Sequence, residues 1–227
     1  MRTAWLLLAV FLGWAVWDLW GPRSHSLRGF DAVSVGRLEA AMWKSYYARE
    51  RVRLFSELAE LLRTQYGFPI LRSYVAAYHA ARGAAVFQGG HSRPDYEKAL
   101  PDIERFYAAI RRVSVEPFDV RRAAELELEW WIVHRERAQH PRADLNRTLG
   151  ELQAALYRIP PERVAEHARL RADAMLLRDR GAERGSPTSA EWAEIERLLR
   201  ASWISLHNVV NSSAGGGSNF GGWIIKR

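Results

Sequence analysis

The sequence predicts an all-α protein, a helical bundle of six or seven helices behind one N-terminal transmembrane helix. Three observations lead there. A nineteen-residue apolar run opens the chain at 3–21 with one charge, Asp18. Beyond it, apolar residues recur at three- and four-residue spacing almost without interruption to Asn211, the period of one buried helical face. Nowhere does a useful length of apolar–polar alternation mark a strand. Composition agrees, since 48% apolar and 26% charged residues over 227 positions suit a folded domain with appendages and not a disordered chain. The absence of cysteine excludes disulfides and thiolate chemistry. The expected order is an anchor at 1–21, a connector at 22–30, a helical domain at 31–211 and a tail at 212–227.

The opening run would be about 28 Å long as a helix, at ~1.5 Å per residue, close to the ~30 Å hydrocarbon core of a bilayer. It ends in Asp18-Leu19-Trp20-Gly21-Pro22 without the small-residue site that a cleaved signal peptide needs, which favours an uncleaved anchor. Four tryptophans, Trp5, Trp14, Trp17 and Trp20, are its membrane-contact candidates, the last two near one end where indole prefers the interface. The anchor is expected to make a single pass. Arg2 precedes it and Arg23, Arg28 and Arg37 follow, a bias that favours a cytoplasmic domain. Asp18 and the nearness of the chain start count against that bias, so the side stays open.

The first helical region runs over about 31–66, with a break near Ala48 and a buried face of Leu38, Met42, Tyr46, Leu54, Leu58, Leu61 and Leu62. Gly67-Phe68-Pro69 stops it, glycine supplying a left-handed cap and proline opening the next helix. That helix, about 69–87, carries Ala76, Ala77, Ala80, Ala81, Ala84 and Ala85; side chains this small allow close packing and predict a central position. Ser92-Arg93-Pro94-Asp95 has the pattern of a capping box and opens a region to about 113, which Pro101 should kink or split. Asp119 caps the next helix, striped with Ala124, Leu128, Trp131 and Ile132. His140-Pro141 ends it, and Leu145, Leu149, Leu152 and Leu156 carry a further helix to Pro160-Pro161. Val164, Ala168, Leu170 and Met175 mark another. Thr188-Ser189-Ala190-Glu191 is a second capping box before a helix with Trp192, Ile195, Leu199, Trp203 and Leu206 in register. Short loops predict antiparallel neighbours, and no repeat of solenoid length is present.

The tail reads SSAGGGSNFGG and then Trp223-Ile224-Ile225-Lys226-Arg227, with five of the sixteen glycines in the first eleven residues. That composition is a flexible linker, and Trp223, Ile224 and Ile225 are candidate partner contacts, docking on a groove or a membrane interface.

Catalytic patterns are absent. No histidine follows a glutamate by three residues, as paired di-iron ligands require, and the zinc-protease, phosphate-loop, dinucleotide and nucleophile-elbow motifs are missing. No catalytic residue, metal site or cofactor is therefore assigned. One cluster stands out, Glu125-Leu126-Glu127-Leu128-Glu129-Trp130-Trp131-Ile132-Val133-His134. Seven residues apart, Glu127 and His134 share a helical face near Trp130, an arrangement for acid–base work or for ligating a pigment or haem. A polar network at the edge of an aromatic contact explains the same pattern. His79 is the next candidate ligand.

The formal charge of +7 and pI near 10 favour anionic partners. Only Lys44, Lys98 and Lys226 are lysines among 33 basic residues, a skew that codon bias also produces. Arg49, Arg51 and Arg53, with Arg111, Arg112, Arg121 and Arg122, would be phosphate contacts in a nucleic-acid binder, but no nucleic-acid motif accompanies them. The expectation is thus an interaction protein: a non-catalytic accessory or scaffolding subunit of a membrane complex, such as an energy-transducing one, with the bilayer and other subunits as partners. The alternatives are a membrane-anchored helical enzyme or cofactor-binding protein using Glu127 and His134, and a binder of anionic lipid or nucleic acid.

Overall fold

The computed structural model describes residues 2–212, which are helical apart from turns and one isolated bridge between His25 and Ser114. Helix α1 (Arg2–Trp20) is followed by nine more: α2 (Ala32–Tyr47), α3 (Arg51–Tyr66), α4 (Ile70–Gly89), α5 (Arg93–Glu97), α6 (Leu100–Val113), α7 (Val120–Arg135), α8 (Arg142–Tyr157), α9 (Ala165–Glu183) and α10 (Ser189–Asn211). The seven regions expected from periodicity are all present, and two are divided, which gives nine. The first breaks at 48–50, where Arg49 adopts a left-handed φ of 60°. The third is split, not kinked, because Pro101 occupies the first turn of α6, where its missing N–H costs nothing.

Local signals act where they were expected, with corrections. Asp119 accepts from the Arg122 N–H and caps α7, and Thr188 and Glu191 form a reciprocal capping box at α10. Gly67 ends α3 at φ 63°, and a β-carbon there would run into the His25 ring. Ser92 does not close a capping box. Its hydroxyl donates to the Asp95 carboxylate at 2.8 Å and accepts from no backbone N–H of the helix. Tyr46 is exposed, and Val35, Leu38 and Glu39 form the inward face of α2. The alanine-rich α4 is not central: Ala76 and Ala77 are buried between α3 and α6, while Ala81 and Ala85 face outward.

The architecture is a closed ring. Each long helix from α2 to α10 packs on the one before and after it, with α5 as a short spur, and α10 returns against α2. Eight antiparallel helices therefore surround an interior filled by side chains instead of by a central helix. Turns at 48–50, 90–92, 136–141 and 184–188 share one end. The other end gathers the C-termini of α3, α6, α8 and α10, and the connector crosses it. There the His25 N–H donates to Val113 O at 2.7 Å, the Tyr157 hydroxyl donates to Leu27 O at 3.1 Å, and Arg28 donates to Val210 O at 2.5 Å.

Helix α1 leaves the ring from that same end. Among the described residues it is the one helix long and apolar enough to cross a membrane, and Trp5, Trp14, Trp17 and Trp20 on it are 66%, 41%, 56% and 71% exposed. Its one acidic residue is its attachment. Asp18, only 4% exposed, accepts through Oδ1 from the backbone N–H groups of Leu71 at 2.9 Å and Arg72 at 3.2 Å. The Arg72 guanidinium donates back to Gly21 O at 2.8 Å. Helix α4 starts at Pro69 without a side-chain cap of its own, so a carboxylate from α1 satisfies the amides and the positive end of the helix dipole. Replacing Asp18 by alanine should cost about 1 kcal/mol, as loss of an N-cap does, and release α1 from the ring. Trypsin cleavage at Arg23 should then accelerate; an unchanged rate would show that the clamp does not hold.

Candidate functional site

Polar side chains converge along the ring axis. Glu39, 2% exposed, projects from α2 and accepts two hydrogen bonds from the Arg171 guanidinium of α9, at 2.9 and 2.7 Å. Its other oxygen accepts the Trp203 indole N–H of α10 at 2.6 Å. Arg171 also lies over the Trp130 ring, 5.2 Å from its centre. Across the ring, Glu127 accepts from the Tyr107 hydroxyl at 2.8 Å and from the Trp131 indole at 2.9 Å. Burial tends to lower the Arg171 pKa, but Glu39 and Glu127 outweigh it and raise it. Burial first, and then the Glu127 charge, push the Tyr66 and Tyr107 phenols up. One arginine thus serves two carboxylates among phenols and indoles that stay protonated, a cross-brace joining α2, α9 and α10 and reaching α7.

Nearer the turn end, Trp43, Tyr47, Trp130, His134, Met175 and Arg178 line a cavity of about 90 Å³. His134 pairs with Asp179 at 3.0 Å, and Arg178 lies 3.7 Å from the centre of the Tyr47 ring. Burial pushes the Tyr47 phenol up to about 12. Burial would also raise the Asp179 carboxyl, but the bond and charge of His134, with Arg178 and Arg137, hold it below its ordinary value. The space suits about three waters, at ~30 Å³ each, and falls short of the ~300 Å³ at which ligand pockets begin. A larger open groove of about 340 Å³ runs outside the ring between α9 and α10. The Arg142–Asp173 pair lies on its edge.

The structure separates the sequence candidates. Seven residues of α-helix advance about 10.5 Å, so Glu127 and His134 occupy different levels of one face and have different partners. His79 lies 3.4 Å from Asp102, a buried carboxylate that also pairs with Arg82 and Arg105 at 3.2 Å. Arg49, Arg51 and Arg53 sit at the turn end and Arg111, Arg112, Arg121 and Arg122 at the other, so they form no common face. Arg53 and Arg121 are moreover bonded to Glu57 and Glu125. Among the described residues no group of three or more potential ligands is placed to hold a metal ion. Trp223, Ile224 and Ile225 lie outside the described residues. Sequence reasoning missed Glu39, Arg171, Tyr107 and Trp203. The available signal was Glu39 itself, a charge inside the apolar stripe of α2.

His167 offers a pH handle. It is fully buried, and its Nδ1 lies 3.0 Å from Ser202 O while the Ser202 hydroxyl donates to His167 O at 2.9 Å. Burial lowers its pKa from 6.5 to about 3. The folded value lies below the unfolded one, so the unfolded chain takes up the proton first. Stabilisation is complete above pH 6.5 and is lost as pH falls towards 3. Denaturant unfolding at a series of pH values should show stability declining by about 1.4 kcal/mol per unit below pH 6.5. His167→Asn should flatten that slope; a slope that persists would assign it to another group.

Comparison with family models, with curated proteins and with solved structures finds no match to this chain.

Proposed function

We propose that the chain is a single-pass membrane protein whose helical ring is a non-catalytic docking subunit of a membrane complex. The observation that carries the reading is α1, exposed along nearly its whole length and clamped to the ring by its one acidic residue, Asp18. A bare apolar helix of this length needs lipid or protein around it. The clamp then sets the ring's pose on the bilayer, which is what a docking platform requires. The interior supports the same role, because its acids and bases are bonded to one another and brace the ring.

The turn end supplies a partner face. At the α2–α3 corner Val52 is 84% exposed, Tyr46 and Tyr47 pack edge to face at 4.9 Å, and Arg49 and Arg51 flank them. Aromatic and arginine side chains around an exposed apolar residue are the composition of an interface core. Extraction of the native protein in mild detergent should bring down stoichiometric membrane partners. Val52→Glu should weaken that association about tenfold or more, corresponding to ~1.4 kcal/mol, without changing membrane fractionation. A lone monomer would overturn the docking role, and release from membranes by alkaline carbonate would overturn the anchor.

A further inference from the structure

We propose that the end of the ring from which α1 emerges is a binding surface for anionic lipid headgroups. Arg23, Arg111 and Arg112 contact phosphate there, and Trp20, Ile70 and Val115 seat in the interface. The proposal rests on α1 being inserted in a bilayer and adds a lipid class to that reading.

Many arginines on the outer helix faces are met by carboxylates, as in Arg53 with Glu57, Arg147 with Glu151, Arg169 with Glu166 and Arg197 with Glu194. Among the described residues, Arg23, Arg111 and Arg112 have no carboxylate within 4.0 Å. Arg111 donates only to Ser114 O, at 3.2 Å. These side chains are brought together by the connector, whose His25 N–H and carbonyl pair with Val113 and Val115 on either side of Ser114. Behind them Arg72 is buried and tied to Gly21 O and its Nε has no partner. Its pKa is lowered by burial and then by the neighbouring charge of Arg23, with Arg112 also contributing. Arg23 and Arg112 thus bear on Arg72 more strongly than Asp18 offsets, and an anion supplied from outside would relieve that repulsion.

Apolar side chains mark the same end. Trp20 is 71% exposed, Ile70 52% and Val115 53%, and they belong to α1, α4 and the α6–α7 turn. Three separate elements thus present apolar groups beside unpaired guanidinium groups at the point where the apolar helix departs. Indole and arginine are the side chains that occupy the headgroup level of a bilayer. Arginine matches phosphate oxygens with paired donors, and a basic juxtamembrane surface is attracted by an anionic leaflet. The charge complementarity selects phosphatidylglycerol-like or other anionic headgroups over phosphatidylcholine.

The test uses the full chain in two formats. In phosphatidylcholine vesicles, resistance to alkaline carbonate reports the anchor alone. In zwitterionic detergent, native mass spectrometry with titrated short-chain phosphatidylglycerol, phosphatidylcholine or inorganic phosphate reports the surface. Saturable, salt-sensitive binding of phosphatidylglycerol is expected. Arg23→Ala with Arg112→Ala should weaken it roughly thirtyfold, at about fivefold per arginine near an anionic surface, and the matching lysine pair should restore most of it. Both positions are exposed, so folding is preserved. Arg180→Ala with Arg197→Ala removes the same charge elsewhere and should leave binding unchanged. Equal losses from the two pairs, or equal affinity for phosphatidylcholine, would overturn the surface while leaving the anchor standing. Inorganic phosphate binding as tightly as the lipid would assign the site to a soluble anion and overturn the lipid source. Release by carbonate would overturn the anchor and the proposal with it.

Discussion

Replacing Glu39 by alanine is expected to remove about 4 kcal/mol of stability, the middle of the range for breaking a buried ion pair. The reason lies in what remains behind. Arg171 would keep its charge against Trp130 with the oxygen that accepts both its hydrogen bonds gone, and the Trp203 indole would lose its acceptor. For a domain of this size that corresponds to a fall of about 8–16 °C in Tm, readable by far-ultraviolet circular dichroism. Glu39→Gln keeps the shape and an oxygen for Trp203 but loses the charge, and should fall between alanine and the native chain. The double replacement Glu39→Leu with Arg171→Met removes both charges and should be more stable than either single change. A Glu39→Ala chain that melts within about 2 °C of the native one, less than ~1 kcal/mol, would show that the brace carries little.

The seam that closes the ring should be almost as sensitive. At Gly36 a β-carbon would lie 2.5 Å from Arg200 Cα and 2.7 Å from its backbone nitrogen. Those are backbone atoms of α10 and cannot rotate away, so Gly36→Ala must push α2 and α10 apart. A cost of about 3 kcal/mol is expected, the upper part of the overpacking range. Gly150 gives the contrast. It too lies inside a helix, but its nearest neighbours would be Ala168 Cβ at 3.6 Å and Val164 at 3.8 Å, ordinary contacts. Gly150→Ala should therefore stabilise by up to ~1 kcal/mol through helix propensity. Equilibrium denaturation of the two variants would show opposite signs, and two shifts of the same sign would refute the close approach at α2–α10.

What was legible in the sequence follows from the range of each interaction. Caps and stops such as Asp119, Gly67 and Thr188–Glu191 act within four residues, so pattern alone locates them. Ser92 shows the limit of that method, since the same spacing with aspartate was satisfied side chain to side chain. The ring was not legible, because nothing local states that α10 returns to α2. Glu39 and Arg171 are 132 residues apart and His134 and Asp179 are 45 apart. Asp18 reads in sequence as a blemish in an apolar segment. Its purpose becomes visible only beside α4, 53 residues further on. Of the candidate site, pattern alone puts Glu127, Trp130 and His134 on one helix, and the partners that divide them come from α6 and α9.

The even number of long helices has a consequence for how this scaffold can be altered. Both ends of the ring's chain leave beside α1, so the turns at 48–50, 136–141 and 184–188 stand together at the opposite rim, mostly exposed. Lengthening a surface loop costs only about 0.6 kcal/mol per doubling. Foreign peptide or an epitope grafted at 136–141 or 184–188 would meet solvent without touching the connector or the α1 clamp, whereas at 48–50 it would cover the partner face. The same graft at 114–119 would strike the connector, where Glu116 accepts from the Ser26 hydroxyl at 2.5 Å and from the Leu27 N–H at 2.8 Å. Diversity in this architecture should therefore accumulate at one rim and be refused at the other.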